Sequence, residues 1–289
     1  VAVANRMVAK GVVFVAGHFC SGASIPASKV YEEEGVIMIS PASTSPKLTD
    51  EGGPGIFRVC GRDDQQGGVL GRFLARRFAG KRIALVHDKS AYGKGLAVET
   101  RRALRDAGQT ETMFEAYTAG EKDYTALVSK LKAARIDALF VGGYHTEAGL
   151  ILRQMRSQGL AATLVGGDTL VVRDYWSIAG HAASGTLFTF APDAAKSPSA
   201  QAVVARYRAK GVEPSGYVLY TYAAVQAWVQ AVKKAGTADP DTVIKAFKKL
   251  RLQTVIGTFH FKRNGDVNLP PYGIYHWKNG VFEQLGTIK

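Results

Sequence analysis

Residues 12–44, VVFVAGHFCSGASIPASKVYEEEGVIMISPAST, constrain the fold more than any other stretch. They read as a buried strand, a turn of small polar residues, a helix, a second buried strand and another small polar turn. The same alternation runs on. A helix over 2–10 precedes strand 12–16, a helix over 25–34 starts near Pro26 and ends at Gly35, and strand 36–40 follows. A loop rich in Pro, Ser and Gly leads to strand 56–60. Helices over 64–78, 93–107, 123–134, 146–158 and 171–179 then alternate with strands over 82–87, 112–117, 137–141, 163–165 and 185–190. Helices between successive strands predict parallel sheets flanked by helices, an α/β class of fold.

Beyond residue 190 the rhythm changes. Three helices are predicted in succession, over 198–210, 217–235 and 240–250. The end is antiparallel in character: strand 257–261, an Asn264-Gly265 turn, strand 272–277, an Asn279-Gly280 turn and strand 281–286. Asn-Gly between apolar runs is a strong hairpin signal. So many elements exceed one small core, and 289 residues suffice for two domains. Segments 61–63, 191–197 and 267–271 carry neither periodicity and are read as crossings between two lobes. The expected division is 1–62 plus 192–269 against 63–191 plus 270–289, with a three-crossover hinge.

Composition excludes several classes. The net charge is +13, but the basic residues, such as Arg101, Arg102, Arg105, Lys233 and Lys234, are spread along helices and read as solvated faces, with no nucleic-acid partner expected. No apolar run approaches a membrane span. The start, VAVANRMVAKG, is an amphipathic helix without an initiator Met, so Val1 is read as interior to a longer, exported precursor. Two cysteines, Cys20 and Cys60, are too few for a scaffold; a mutual bridge, a bridge to another segment and two thiols all remain open. The six histidines show no metal-ligand spacing, and neither metal nor cofactor is expected.

Five short segments place polar or aromatic residues just after a buried strand: GHFCSG (17–22), SPAST (40–44), HDKSAYGKG (87–95), GGYHTE (142–147) and GGDT (166–169). In open α/β sheets that is where ligands bind. The hydroxyls of Ser21, Ser24, Ser43 and Thr44, with nearby backbone N–H groups, suit a small anionic group such as a carboxylate. They do not suit bond cleavage. Phe19 replaces the first glycine of a nucleophile elbow, and no base is in place. YGKGLAV lacks the third glycine of a dinucleotide loop, so a helix start is the plainer reading. Ser21 and Ser24 taken alone would be helix caps, and Asp63-Asp64 reads equally as an N-cap pair or as site residues.

The segments GHFCSGASIPASKVYEEEG, SPASTSPKL, FRVCGRDDQQG, ALVHDKSAYGKGLA, YTAGEKDYTALVSKLK, FVGGYHTEAGLILRQMR and TYAAVQAWVQA resemble, in order and over essentially the whole chain, the periplasmic leucine/isoleucine/valine-binding proteins of ABC transporters. The resemblance implies a two-lobe periplasmic binding protein fold of type I, with an amino acid in the cleft and no enzymatic activity. By position it implies that Ser21 and Thr44, with backbone around Ala42 and Ser43, hold the ligand carboxylate. Tyr144 and Asp168 would meet the α-ammonium, and Tyr92 would close over the ligand. Phe19 and Tyr217 would shape the side-chain pocket, and Asp63 would lie on the hinge side. Asp168 stands where better-known members carry Glu. The strand–helix–strand unit that opens the family, and the usual cysteine partner of Cys20, do not appear.

The function so implied is that of an extracytoplasmic solute-binding protein in the periplasm, a monomer that delivers a branched-chain aliphatic amino acid to the permease subunits of an ABC transporter. The alternative is a cytoplasmic or sensory regulator of the same fold for amides, aromatic amino acids or small carboxylates. A zwitterion in a closed site must have both charges paired, and the residue set supplies hydroxyls for one and an acid for the other.

Overall fold

The computed structural model describes residues 1–285. The chain forms two compact units, Val1–Arg62 with Asp193–Pro270, and Asp63–Pro192 with the chain from Pro271 onward.

The first unit opens with α1 (Ala2–Ala9), β1 (Phe14–Ala16), α2 (Ser21–Glu33), β2 (Ile37–Ser40), α3 (Lys47–Asp50) and β3 (Ile56–Arg58). The three strands pair in parallel in the order β1-β2-β3. β2 is buried at every position, as an apolar strand covered on both faces must be. Tyr31, Met38, Leu48 and Ile56 form the core against Ala4 and Ala27.

Helix α2 begins at Ser21, four residues before the expected start, and continues through Pro26. The proline withdraws one backbone donor from the ladder. The helix persists because Ser24, Ala27, Ser28 and Tyr31 are all buried on one face. Ser21 is the first helical residue and Cys20 the N-cap, with no side-chain cap bond, so Ser21 and Ser24 are not the caps that their residue type suggested.

The second unit continues with α4 (Asp63–Arg77), β4 (Ile83–His87), α5 (Ala91–Asp106), β5 (Met113–Ala116), α6 (Thr125–Ala133), β6 (Ala138–Gly142), α7 (His145–Ser157), β7 (Thr163–Gly166), α8 (Arg173–Ala179) and β8 (Leu187–Phe190). β4 through β8 are mutually parallel where they pair. Helices α4 and α5 pack closely because Gly67 and Gly71 present no side chain: a Cβ on Gly71 would lie 2.5 Å from the Leu104 nitrogen and 2.6 Å from the Thr100 carbonyl oxygen.

The chain then returns to the first unit with α9 (Gln201–Arg208), α10 (Val218–Ala235), α11 (Pro240–Phe247), β9 (Leu252–Thr254) and β10 (Gly257–Phe259). The helix expected over 198–210 is shortened to α9, the first three expected residues forming a 3₁₀ turn (Pro198–Ala200) instead. Finally β11 (Gly273–Lys278) and β12 (Val281–Gln284) complete the second unit, whose seven strands run β12-β11-β8-β7-β6-β4-β5.

The two Asn-Gly signals had different outcomes. Asn279 and Gly280, both at positive φ (49° and 82°), join β11 to β12 in the expected antiparallel hairpin. Its last expected residue, Gly286, lies outside the described residues. Asn264-Gly265 also turns, closing a single bridge between Phe261 and Val267. It does not pair strand 257–261 with strand 272–277, because β10 pairs with β9 and β11 pairs with β8. β9, which the sequence reading did not foresee, supplies the partner. No disulfide joins Cys20 to Cys60. Among the described residues no helix is long and apolar enough to cross a membrane.

Candidate ligand-binding residues of the two units

In the first unit the turns after β1 and β2 are laced together by hydroxyls. The His18 carbonyl accepts from Ser40 Oγ (2.7 Å), Ser43 Oγ (3.0 Å) and Ser24 Oγ (3.3 Å). Ser24 and Ser43 share a hydrogen bond of 2.6 Å. Ser40 Oγ in turn accepts from the Ser43 N–H at 2.9 Å and, more weakly, from the Ala42 N–H at 3.4 Å. The hydroxyl of Ser43 is therefore spent inside the unit, where the sequence reading gave it to a ligand. Ser21 Oγ accepts from the Ser45 N–H at 3.2 Å, which ties the start of α2 to the same turn. Thr44 is different. It is fully buried, and its Oγ1 has no hydrogen-bond partner. A buried hydroxyl without a partner costs about 1–3 kcal/mol, so a ligand oxygen there would relieve a standing penalty.

Phe19, 42% exposed, meets the buried Tyr217 edge-on, with ring centroids 5.7 Å apart. Tyr217 is the N-cap residue of α10 and packs on Tyr220 at 5.4 Å. The His18 ring bonds Tyr31 Oη at 3.0 Å, and burial lowers its pKa, which favours the neutral imidazole.

In the second unit the polar residues gather on Asp168, in the 3₁₀ turn after β7. It is 1% exposed. Its Oδ1 accepts from Tyr92 Oη at 2.8 Å and from Gln66 Nε2 at 3.0 Å. Gln66 Nε2 also donates to Thr189 Oγ1 at 2.8 Å. Burial, then the charges of Asp168 and Asp63, push the Tyr92 phenol well above its ordinary pKa, so it remains a donor. A Cβ on Gly167 would lie 2.3 Å from Tyr92 Oη and 2.6 Å from Leu96 Cδ2, so a larger residue there would have to displace these side chains. Tyr144, the N-cap residue of α7, sets its ring 5.3 Å from that of Tyr92. Asp63, fully buried, is the first residue of α4.

The YGKG segment is a helix start. Ser90 caps α5 by accepting from the Gly93 N–H. Gly93 is required by close approach rather than flexibility, since a Cβ there would lie 2.4 Å from the Gly142 carbonyl oxygen. Gln66 and Thr189 were missed by sequence reasoning. Thr189 sits inside an apolar strand and Gln66 inside a polar helix start, and neither position carries a local signal.

A cavity of about 800 Å³ in the first unit, walled by Phe57, Phe247 and Phe261, touches none of these residues. Among the described residues no group of three or more His, Cys, Asp or Glu side chains could hold a metal.

Each unit is thus a mainly parallel sheet or part-sheet whose strand-end turns carry buried hydroxyls or a braced carboxylate, the construction of an α/β binding protein. The periplasmic binding protein family profile matches residues 1–281, and the chain belongs to that family. It is 48% identical over 290 residues to the Leu/Ile/Val-binding protein homolog 1 of Brucella melitensis, covering 100% of this chain and 78% of the relative. Among solved structures it is similar to a leucine-binding protein from Thermotoga maritima (TM-score 0.91, 27% identity, 99% of this chain and 82% of the other). It is also similar to the branched-chain amino acid transporter substrate-binding protein of Streptococcus pneumoniae solved with isoleucine (TM-score 0.86, 28% identity, 98% and 82%). The fold is the type I periplasmic binding protein fold.

Proposed function

We propose that this chain is the substrate-binding component of an ABC transporter and binds a branched-chain aliphatic amino acid outside the cytoplasmic membrane. The observation that carries this reading is the buried Asp168 carboxylate. Two donors, Tyr92 and Gln66, converge on one of its oxygens and fix its orientation. A carboxylate so held is suited to an α-ammonium.

In this reading Thr44 and Ser21, with N–H groups of the 42–45 turn, take the ligand carboxylate, and Asp168 and Tyr144 take the ammonium. Tyr92 orients Asp168 and covers the ligand. Phe19 and Tyr217 supply apolar surface for the aliphatic side chain, and Asp63 adds negative charge beside Tyr92. The relative from Brucella and the isoleucine complex from Streptococcus support the ligand class. The partners proposed are the amino acid and the membrane permease subunits, with the chain acting as a monomer.

Titration calorimetry with leucine, isoleucine and valine tests the proposal. Wild type is expected to bind at least one of them. Asp168→Ala is expected to weaken that binding by two or more orders of magnitude, because loss of one partner of a buried pair costs about 3–5 kcal/mol. Unchanged affinity in the variant would remove Asp168 from the site.

A further inference from the structure

Arg58, the last residue of β3, is fully buried. Its Nη1 donates to the Ser43 carbonyl at 2.8 Å, and its Nη2 to the Ser45 carbonyl at 2.8 Å and to Thr49 Oγ1 at 2.6 Å. Its Nε lies 2.8 Å from Asp266 Oδ1. Thr49 Oγ1 also donates to Asp266 Oδ1 at 2.7 Å, and Asp266 Oδ2 accepts from Asn264 at 2.7 Å and Arg62 at 2.9 Å. The contact of Nε with Asp266 is an ion pair without hydrogen-bond geometry, and the fork of the guanidinium faces the carbonyls of the 43–46 turn.

A trans peptide is planar, with its C=O and N–H directed oppositely. Holding the Ser43 carbonyl against Arg58 aims the Thr44 N–H the other way. Thr44 is also the residue whose buried Oγ1 lacks a partner. A charged donor on the carbonyl polarises the peptide and strengthens its N–H as a donor. The Ser45 carbonyl, held in the same way, precedes Pro46 and so presents no N–H. Nη2 also reaches the Pro46 carbonyl at 3.4 Å, so the Ser43–Thr44 peptide is the most tightly held of those that present an N–H.

We propose that Arg58 is a positioning residue for ligand carboxylate recognition. Braced by Asp266 and Thr49, it orients and polarises the Ser43–Thr44 peptide so that the Thr44 N–H and hydroxyl receive the carboxylate together. The inference rests on the amino-acid-binding reading above.

The test uses leucine labelled with ¹³C at its carboxylate, with calorimetry for affinity and difference infrared spectroscopy for the bound carboxylate stretch. Arg58→Lys keeps the charge and the ion pair with Asp266 but cannot fork across two carbonyls. It is expected to bind leucine at least tenfold more weakly, with a cooperative melt retained and the bound carboxylate band moved toward its position in water. Thr49→Val removes one brace and is expected to shift both readouts the same way by a smaller amount, about threefold in affinity. It decides the matter if Arg58→Lys does not fold. Wild-type affinity in the variants, or weakened binding with an unmoved carboxylate band, would overturn the positioning role. Failure of wild type to bind leucine or any other α-amino acid would be seen before any variant is made and would remove the underlying functional reading.

Discussion

At the scale of single residues, the chemistry rests on a few buried polar groups and on what each is bonded to. Asp266 shows how such a group links the fold to pH. Burial pushes its carboxyl up, but the Arg58 charge, the Thr49 and Asn264 hydrogen bonds and the Arg62 charge outweigh that, and the net shift is downward. A depressed folded-state pKa contributes stability that is present above the unfolded value of about 3.9 and is lost as pH falls through the folded value. Urea unfolding from pH 6 to pH 2.5 is therefore expected to show wild type well above Asp266→Asn near pH 6, with the gap closing below about pH 4. A constant gap across that range would show that Asp266 contributes only through neutral hydrogen bonds. Several candidate residues could be read from the sequence as small polar or acidic residues after buried strands. Ser43 was correctly seen at a strand end, but its hydroxyl turns back onto the His18 and Phe19 carbonyls. Which way a hydroxyl turns depends on acceptors more than twenty residues away.

At the scale of elements, hydrophobic runs and helical periodicity located nearly every strand and helix, because burial of an apolar run depends mainly on local sequence. The errors fall where a long-range partner decides. Helix α2 starts at Ser21 because its buried face extends that far, not where Pro26 would begin it. The Asn264-Gly265 turn forms locally, yet the strands flanking it pair elsewhere. Helix pairing adds a constraint that no propensity scale contains. Gly71 admits the backbone of α5, so Gly71→Ala must push the two helices apart or strain them. Overpacking of this kind costs about 1–3 kcal/mol, sometimes more. Calorimetric melting is expected to show a fall in Tm of roughly 2–12 °C, taking about 2–4 °C per kcal/mol for a domain of this size. An unchanged Tm would mean that α4 and α5 shift apart at no cost.

At the scale of the whole molecule, the chain belongs to the periplasmic binding protein family, and its proposed ligand should report on the native state by mass action. At a leucine concentration of about 100 Kd the stabilisation is about 2.7 kcal/mol. A thermal-shift screen of the chain against the twenty amino acids and small carboxylates is expected to show a rise of several degrees with leucine, isoleucine or valine. A shift confined to aromatic amino acids or to carboxylates lacking an ammonium would replace the proposed ligand class.

The sequence by itself determined the α/β class, the order of elements and the strand-end turns that carry the candidate residues, because these follow from apolar periodicity and turn chemistry within short windows. Its ordered motifs also carried the family resemblance. Only the tertiary structure decided which polar groups are already satisfied. It showed that Tyr92 and Gln66 brace Asp168, that Ser43 is occupied while Thr44 Oγ1 is not, and that Arg58 grips the back of the 43–46 turn from β3. These are pairings between residues 15 to 102 positions apart, or the absence of one. A buried donor or acceptor takes whichever partner the packing of distant elements brings within about 3 Å, and no local pattern specifies that partner.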